Sequence, residues 1–225
     1  MDAVSTEPNL PWPAPAALAQ AVPLPAGYRL RVPALADVPA LVEAVDVWFP
    51  GLAVGNARCF LRPAFYETRV QLADTPEAAD RDFFALLYEH DRGWAGLLAV
   101  ERDRDSRVLY GRVGTVDPAH RGAGLSRTFA PLMEQMGHAM ALGMVYSLAT
   151  LKTPHMQRGF EHAGWRLVGI MPGFDRELGE SGKVQRVYEA IYAKPLAAGT
   201  DLLEPDPTGM TTDTLRLYRM LYCST

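Results

Sequence analysis

"VDPAHRGAGLSRTF", residues 116–129, closes one apolar run and opens another with a different period. Upstream, RVLYGRVGTV (107–116) has the residue types of a β-strand. Downstream, Leu125, Phe129, Leu132, Met133, Met136 and Met140 trace one face of a helix. No second strand follows the glycines directly, so a hairpin does not explain them. A strand, a glycine turn and a helix N-terminus together suit an anion. The first helical N–H groups lack internal partners, and the dipole favours negative charge there by roughly 0.3–1 kcal/mol. Glycine supplies φ > 0 and lets a ligand approach the backbone. The same residues also suit a strand-to-helix turn with no ligand at all. Two common phosphate motifs fail the test. A GxGxxG fingerprint breaks at Arg127, three residues after Gly124, and GxxxxGK[ST] is absent.

Working outward, FFALLYEH (83–90) and WAGLLAVER (94–102) are strand-like runs separated by Asp91-Arg92-Gly93, a hairpin signal. DRDS (103–106) is a second polar turn before the 107–116 strand. Gly111 and Gly114 lie inside that strand, where glycine costs stability, so a bulge or a close neighbour is expected. In the helix that follows, Pro131 is awkward: an interior proline costs roughly 3 kcal/mol unless the helix kinks. Gly143 ends that helix, and MVYSLATL (144–151) reads as a buried strand. Thr153-Pro154 reads as an N-cap and first-turn proline, and Gly164 as the stop of a short helix. WRLVGIMP (165–172) and RVYEAIYAK (186–194) read as two more strands, joined by a loop over 172–186.

Towards the N-terminus, YRLRV (28–32) alternates as a half-buried strand would. In ADVPALVEAVDVWF (36–49), Asp37 is the expected N-cap and Pro39 sits in the first turn. Residues 52–82 predict one or two short helices. Pro8, Pro11, Pro13, Pro15, Pro23 and Pro25 predict an extended arm over 1–26. At the other end, 196–225 is an extension whose TTDTLRLYRMLY (211–222) predicts a short helix, packed on its own domain or on a partner. The body is then 27–195. Strand, helix and strand over 107–151 imply a parallel crossover among antiparallel hairpins, hence an α/β fold with a mixed sheet.

The chain has 225 residues, 48% of them hydrophobic and 21% charged, with a formal charge of −4 and no Lys/Arg block. A sequence-blind nucleic-acid binder is usually basic, so no nucleic-acid partner is expected. No stretch of about 18 apolar residues exists, so no membrane span is expected. The first residues lack a basic stretch followed by an apolar run, so no secretory leader is expected. Cys59 and Cys223 form no zinc or CxxC pattern. No metal site and a cytoplasmic location follow as expectations.

The 116–129 stretch resembles the acyl-CoA site of the GNAT superfamily of N-acyltransferases. That family carries Arg/Gln-x-x-Gly-x-Gly/Ala after a V-D-P strand end. Here the pattern reads Val116-Asp117-Pro118, Arg121, Gly124 and Ser126, with serine departing from the last position. YRLRVPALADVPALVEAV is similar to the family's opening strand and helix, and FEHAGWRLVG to its last helix end and next strand. The resemblance covers about residues 27–195. It implies a mostly antiparallel sheet with one parallel pair splayed around acyl-CoA, and helices on both faces. It implies that the N–H groups of Arg121, Gly122, Ala123, Gly124, Leu125 and Ser126 wrap the CoA pyrophosphate. The backbone of Thr115 and Val116 then pairs with the pantetheine arm. For Arg121 a plain solvated turn arginine is the competing reading.

The implied reaction is transfer of an acetyl or other acyl group from acetyl-CoA or another acyl-CoA to an amine. The acceptor is a small molecule or a peptide. Such chemistry needs a neutral amine, a donor for the developing oxyanion and a proton for the departing thiolate. The family often supplies that proton from a tyrosine five residues before the position of Trp165. Phe160 stands there and has no proton to give. His155, His162 and Tyr146 are the nearby substitutes, and Glu101 and Tyr110 are candidate bases. His155, Tyr146 and Glu101 are the catalytic set expected. Phe160 also leaves a second class open: an acyl-CoA-binding sensor or interaction module without turnover. A homodimer is left open.

Overall fold

Residues 10–76, 79–179 and 181–223 are described by the computed structural model of this chain. The start of the proline-rich arm, with Pro8, lies outside them. Sheet formation begins with the most apolar runs. Phe83–His90 (β3) and Gly93–Asp103 (β4) form an antiparallel hairpin at the centre of the fold. Their side chains alternate between two cores. Phe84, Leu86, Tyr88, Leu98 and Val100 face one; Phe83, Ala85, Leu87, Leu97 and Ala99 face the other. A strand buried on both faces reads as a continuous apolar run, which is what both sequences are.

Arg29–Arg31 (β1) pairs antiparallel with β3, and Val108–Val116 (β5) antiparallel with β4. Met144–Thr150 (β6) runs parallel to β5. Arg166–Leu178 (β7) and Val184–Pro195 (β8) form a long hairpin whose β8 lies against β6. The order is β1-β3-β4-β5-β6-β8-β7, and the short strand Val70–Gln71 (β2) adds a second, two-residue parallel contact on β3. The sheet is mixed and mostly antiparallel.

Helices cover both faces. Val38–Trp48 (α2) and Pro63–Arg69 (α3) pack on one side through Leu41, Val45 and Tyr66. Phe129–Ala139 (α4) and His155–His162 (α5) pack on the other through Leu132, Met136 and Phe160. Among the described residues no helix is long and apolar enough to cross a membrane.

Four local expectations are corrected. The arm is not wholly extended: Pro15–Ala21 is a helix (α1), entered through Pro15, whose missing N–H would be unpaired there anyway. Leu18 of α1 is buried in the α4-side core. Pro131 costs no kink, because a 3-10 turn over Leu125–Thr128 precedes α4 and leaves the proline in its first turn. Asp37 starts α2 without capping it; its carboxylate takes Arg31 and the Ala34 N–H instead, at 2.5 and 2.7 Å. The region 172–186 is mostly strand, since β7 and β8 continue to Leu178 and from Val184. Thr212–Tyr222 (α6) forms the expected tail helix and buries no residue.

Candidate functional site

The join at 116–129 is built from both directions. Asp117 follows β5 and its carboxylate accepts the Ala119 N–H at 2.7 Å, capping a 3-10 turn over Pro118–His120. His120 is buried beneath the loop and hydrogen-bonded to the Tyr28 hydroxyl at 2.9 Å. Arg121 donates to the Trp48 carbonyl at 3.2 Å, which ties the loop to the end of α2. Gly122 and Gly124 then adopt φ of +87° and +88°, conformations that L side chains rarely hold. A Cβ at Gly122 would meet nothing within 4 Å, and one at Gly124 only Pro25 at 3.9 Å. The space over both glycines is open. Among the described residues the N–H groups of Gly122, Gly124, Leu125 and Ser126 have no acceptor. The N–H groups of Arg121 and Ala123, expected to join them, are instead taken by the Pro118 and His120 carbonyls at 3.4 and 3.3 Å. Free N–H groups around two left-handed residues just before α4 are a backbone arrangement that can take an anion.

The strand feeding this loop leaves its neighbour. β5 and β6 pair from Val108↔Met144 only as far as Gly111↔Ser147. Beyond that point β6 continues beside β8, while β5 continues beside β4 to Val116↔Gly96. The β5 edge from Arg112 to Val116, including Thr115, therefore faces no strand. A bulge at Arg112 marks the departure, since Ala99 pairs with Val113 and Val100 with Gly111.

The gap opens on a cavity of about 220 Å³. It is lined from both sides of the sheet: Phe129, Met133 and Phe160 belong to the α4-side core, and Leu52 and Ala57 to the α2-side core. The cavity thus passes through the sheet where β5 and β6 part. Asp175, Glu177 and Glu189 line it from the β7–β8 hairpin, and Tyr110 and Ser147 bring hydroxyls from β5 and β6.

No sequence-family model matches the chain, and no curated protein matches it. Solved structures do. A mutant form of the spermidine N-acetyltransferase SpeG from Vibrio cholerae matches with TM-score 0.58 at 13% identity, over 75% of this chain and 94% of that one. The structure of yncA from Salmonella typhimurium with its cofactor acetyl-CoA matches with TM-score 0.56 at 17% identity, over 80% and 98%. The ribosomal-protein-S18-alanine N-acetyltransferase from Escherichia coli matches with TM-score 0.55 at 13% identity, over 79% and 99%. The chain has the GNAT acetyltransferase fold. The arrangement of splayed strands, glycine loop and following helix in this GNAT fold agrees with the resemblance read at 116–129.

Within the GNAT fold the expected catalytic set is brought together in part: Glu101 and Tyr146 stand on either side of Tyr110 across β4, β5 and β6, while His155 belongs to α5. His155 is exposed at the first position of α5, while Met156 and Phe160, four apart, turn that helix's inner face to the cavity. His162 is exposed too, its Nδ1 against the Arg158 carbonyl at 2.6 Å. Tyr146 stacks on Tyr110 with centroids 4.6 Å apart, and Glu101 pairs with Arg112 at 2.8 Å; neither lines the cavity. Tyr110 does line it. Burial pushes its phenol up to about 12, so it holds its proton and suits a donor better than a base. Phe160 is buried, stacked between Trp165 at 4.8 Å and Tyr192 at 5.4 Å.

Sequence reasoning missed Glu189. It is 7% exposed on β8, opposite Thr150 of β6 and Met171 of β7, and it lines the cavity. Its signal was a single glutamate in RVYEAIYAK, with nothing in the strand pattern to separate it from a surface residue.

Proposed function

We propose that this chain is an N-acyltransferase that moves an acetyl or other acyl group from acyl-CoA to an amine. The observation that carries the reading is the anion nest of Gly122 and Gly124 at the open end of a splayed parallel pair. Open space over both glycines and four free N–H groups fit a pyrophosphate, whose charge the α4 entry and the exposed Arg121 and Arg127 favour. The unpaired β5 edge, with Thr115 and Val116, fits an extended amide-bearing arm by the same rule that adds a strand to a sheet. Acyl-CoA supplies the activated thioester carbonyl. The chain's own residues bind the carrier, exclude water around Phe129 and Met133, and handle protons. In this reading the Tyr110 hydroxyl protonates the departing sulfur in place of the tyrosine that Phe160 replaces. Cys59 and Cys223 are free thiols, which suits a reducing cytoplasm.

The test begins with binding. A ligand that binds only the folded state adds RT ln(1 + [L]/Kd), about 2.7 kcal/mol at a hundredfold excess over Kd. Acetyl-CoA and CoA are expected to raise Tm, and a free-thiol assay with an amine panel is expected to register transfer. No shift at millimolar acetyl-CoA in the folded protein would sink the reading. Binding without release of thiol for any amine would leave a sensor or interaction module.

A further inference from the structure

We propose that the cavity's acidic side takes a primary ammonium carried on an apolar or aromatic stem, with Glu189 accepting its proton. This rests on the acyl-CoA reading above and names the acceptor class for the same site.

Three carboxylates reach the cavity from one hairpin, and their partners differ. Asp175 accepts the Asn56 and Arg176 N–H groups at 2.6 and 2.7 Å. Glu177 is ion-paired with Lys152. The Glu189 carboxylate, on a residue 7% exposed, has no hydrogen-bond or ion-pair partner among the described residues. Its oxygens are open to the cavity rather than sealed in the protein, so a cation that enters can pair with them where no protein group does.

The charges around Glu189 point the same way. Asp175 and Glu177 face it from β7; β6 offers Thr150, followed by Lys152, which is held by Glu177. On β5, Arg112 is matched to Glu101, and Tyr110 is neutral. From α5 come the apolar Met156 and Phe160. Burial first, then the charges of Asp175 and Glu177, pushes the Glu189 carboxyl up to about 7. An arriving ammonium relieves both effects, whereas an anionic or neutral acceptor relieves neither. Leu52 and the half-exposed Phe49 and Phe174 line the same cavity and suit the apolar stem.

An ammonium cannot attack a carbonyl until it loses a proton, and a lysine-like amine with pKa about 10.4 is neutral only about once in 10³ at pH 7. Glu189 takes that first proton. The freed lone pair forms the C–N bond as the thioester C–S bond breaks. The sulfur leaves with the bonding electrons and takes the Tyr110 proton, the amine's second proton restores the phenol, and Glu189 returns the first to solvent.

The experiment uses the full chain with acetyl-CoA, phenethylamine as the cationic probe and benzyl alcohol as its uncharged control. Phenethylamine is expected to bind by calorimetry and to be acetylated, and benzyl alcohol to do neither. For kcat/KM, which reports the free enzyme, an acid limb near pH 7 is expected: activity falls as Glu189 takes up its own proton. Glu189→Gln is expected to lower kcat about 10²-fold and to remove that limb, with acetyl-CoA affinity kept within about twofold as the fold control. Should the variant fail to fold, the parent's phenethylamine affinity is expected to weaken below pH 7. Parent-like kcat and pH profile in Glu189→Gln would overturn the proposal, as would a parent that binds acetyl-CoA but not phenethylamine. A parent that fails to bind acetyl-CoA overturns the underlying reading and this proposal together.

Discussion

At Gly124 a single residue carries both backbone geometry and chemistry. Its φ of +88° excludes comfortable side chains, and its N–H is one of the four left free in the nest. Gly124→Glu adds a side chain in a strained conformation and a negative charge where a pyrophosphate is proposed to sit. The open space around it means that the fold survives, since a Cβ meets only Pro25 at 3.9 Å. CoA affinity measured by calorimetry is expected to drop more than about tenfold, with the circular dichroism spectrum unchanged. Retained affinity would place the pyrophosphate elsewhere. Serine at 126 is harmless by the same geometry: its side chain is exposed and only its N–H belongs to the nest.

One element, β5, explains the two glycines inside it. Gly111 and Gly114 are three apart, which in a regular strand puts them on opposite faces. The bulge at Arg112 shifts the phase, and both then face α4. A Cβ at Gly111 would lie 2.7 Å from Met133 Cε and from Ser147 Oγ, and one at Gly114 would lie 2.7 Å from the Phe129 ring. These glycines therefore let α4 sit close enough to hold its N-terminus at the splay. The expected bulge and the expected close neighbour are both present, and the neighbour is the helix itself. Gly114→Ala is expected to destabilise the protein by about 1–3 kcal/mol through overpacking, read as a lower urea midpoint at unchanged m-value. An unchanged midpoint would mean that Phe129 moves aside at no cost.

For the whole molecule, the arm before β1 is part of the core. Trp12 stacks on Phe84 with centroids 4.8 Å apart and donates to the Arg81 carbonyl at 2.8 Å. The guanidinium of Arg102, a residue 2% exposed, lies 4.8 Å from the Trp12 ring centroid and 2.9 Å from Asp80. A cation this buried needs the arm to cover it, so Trp12→Ala is expected to cost about 2–3 kcal/mol in urea unfolding. A cost below about 0.5 kcal/mol would show the arm to be dispensable. The tail differs: α6 buries no residue, in keeping with a short amphipathic helix on the surface.

The sequence by itself determined the sheet and the loop. Runs such as FFALLYEH and MVYSLATL are apolar enough to be strands wherever they land, and Val116-Asp117-Pro118 with Gly122 and Gly124 encodes its turn through local bonds and positive φ. Such signals act between near neighbours, so they survive reading in one dimension. What only the tertiary structure decided was which side chains share the cavity. His155 and Met156 are adjacent in the chain, yet one is exposed and the other lines the cavity, because the packing of α5 fixes its rotation. Glu189 carries no local mark at all. It becomes distinctive only when β8 buries it beside Asp175 and Glu177 of β7 and opposite the gap between β5 and β6. Burial and electrostatic environment are sums over residues distant in sequence, and the fold performs that sum.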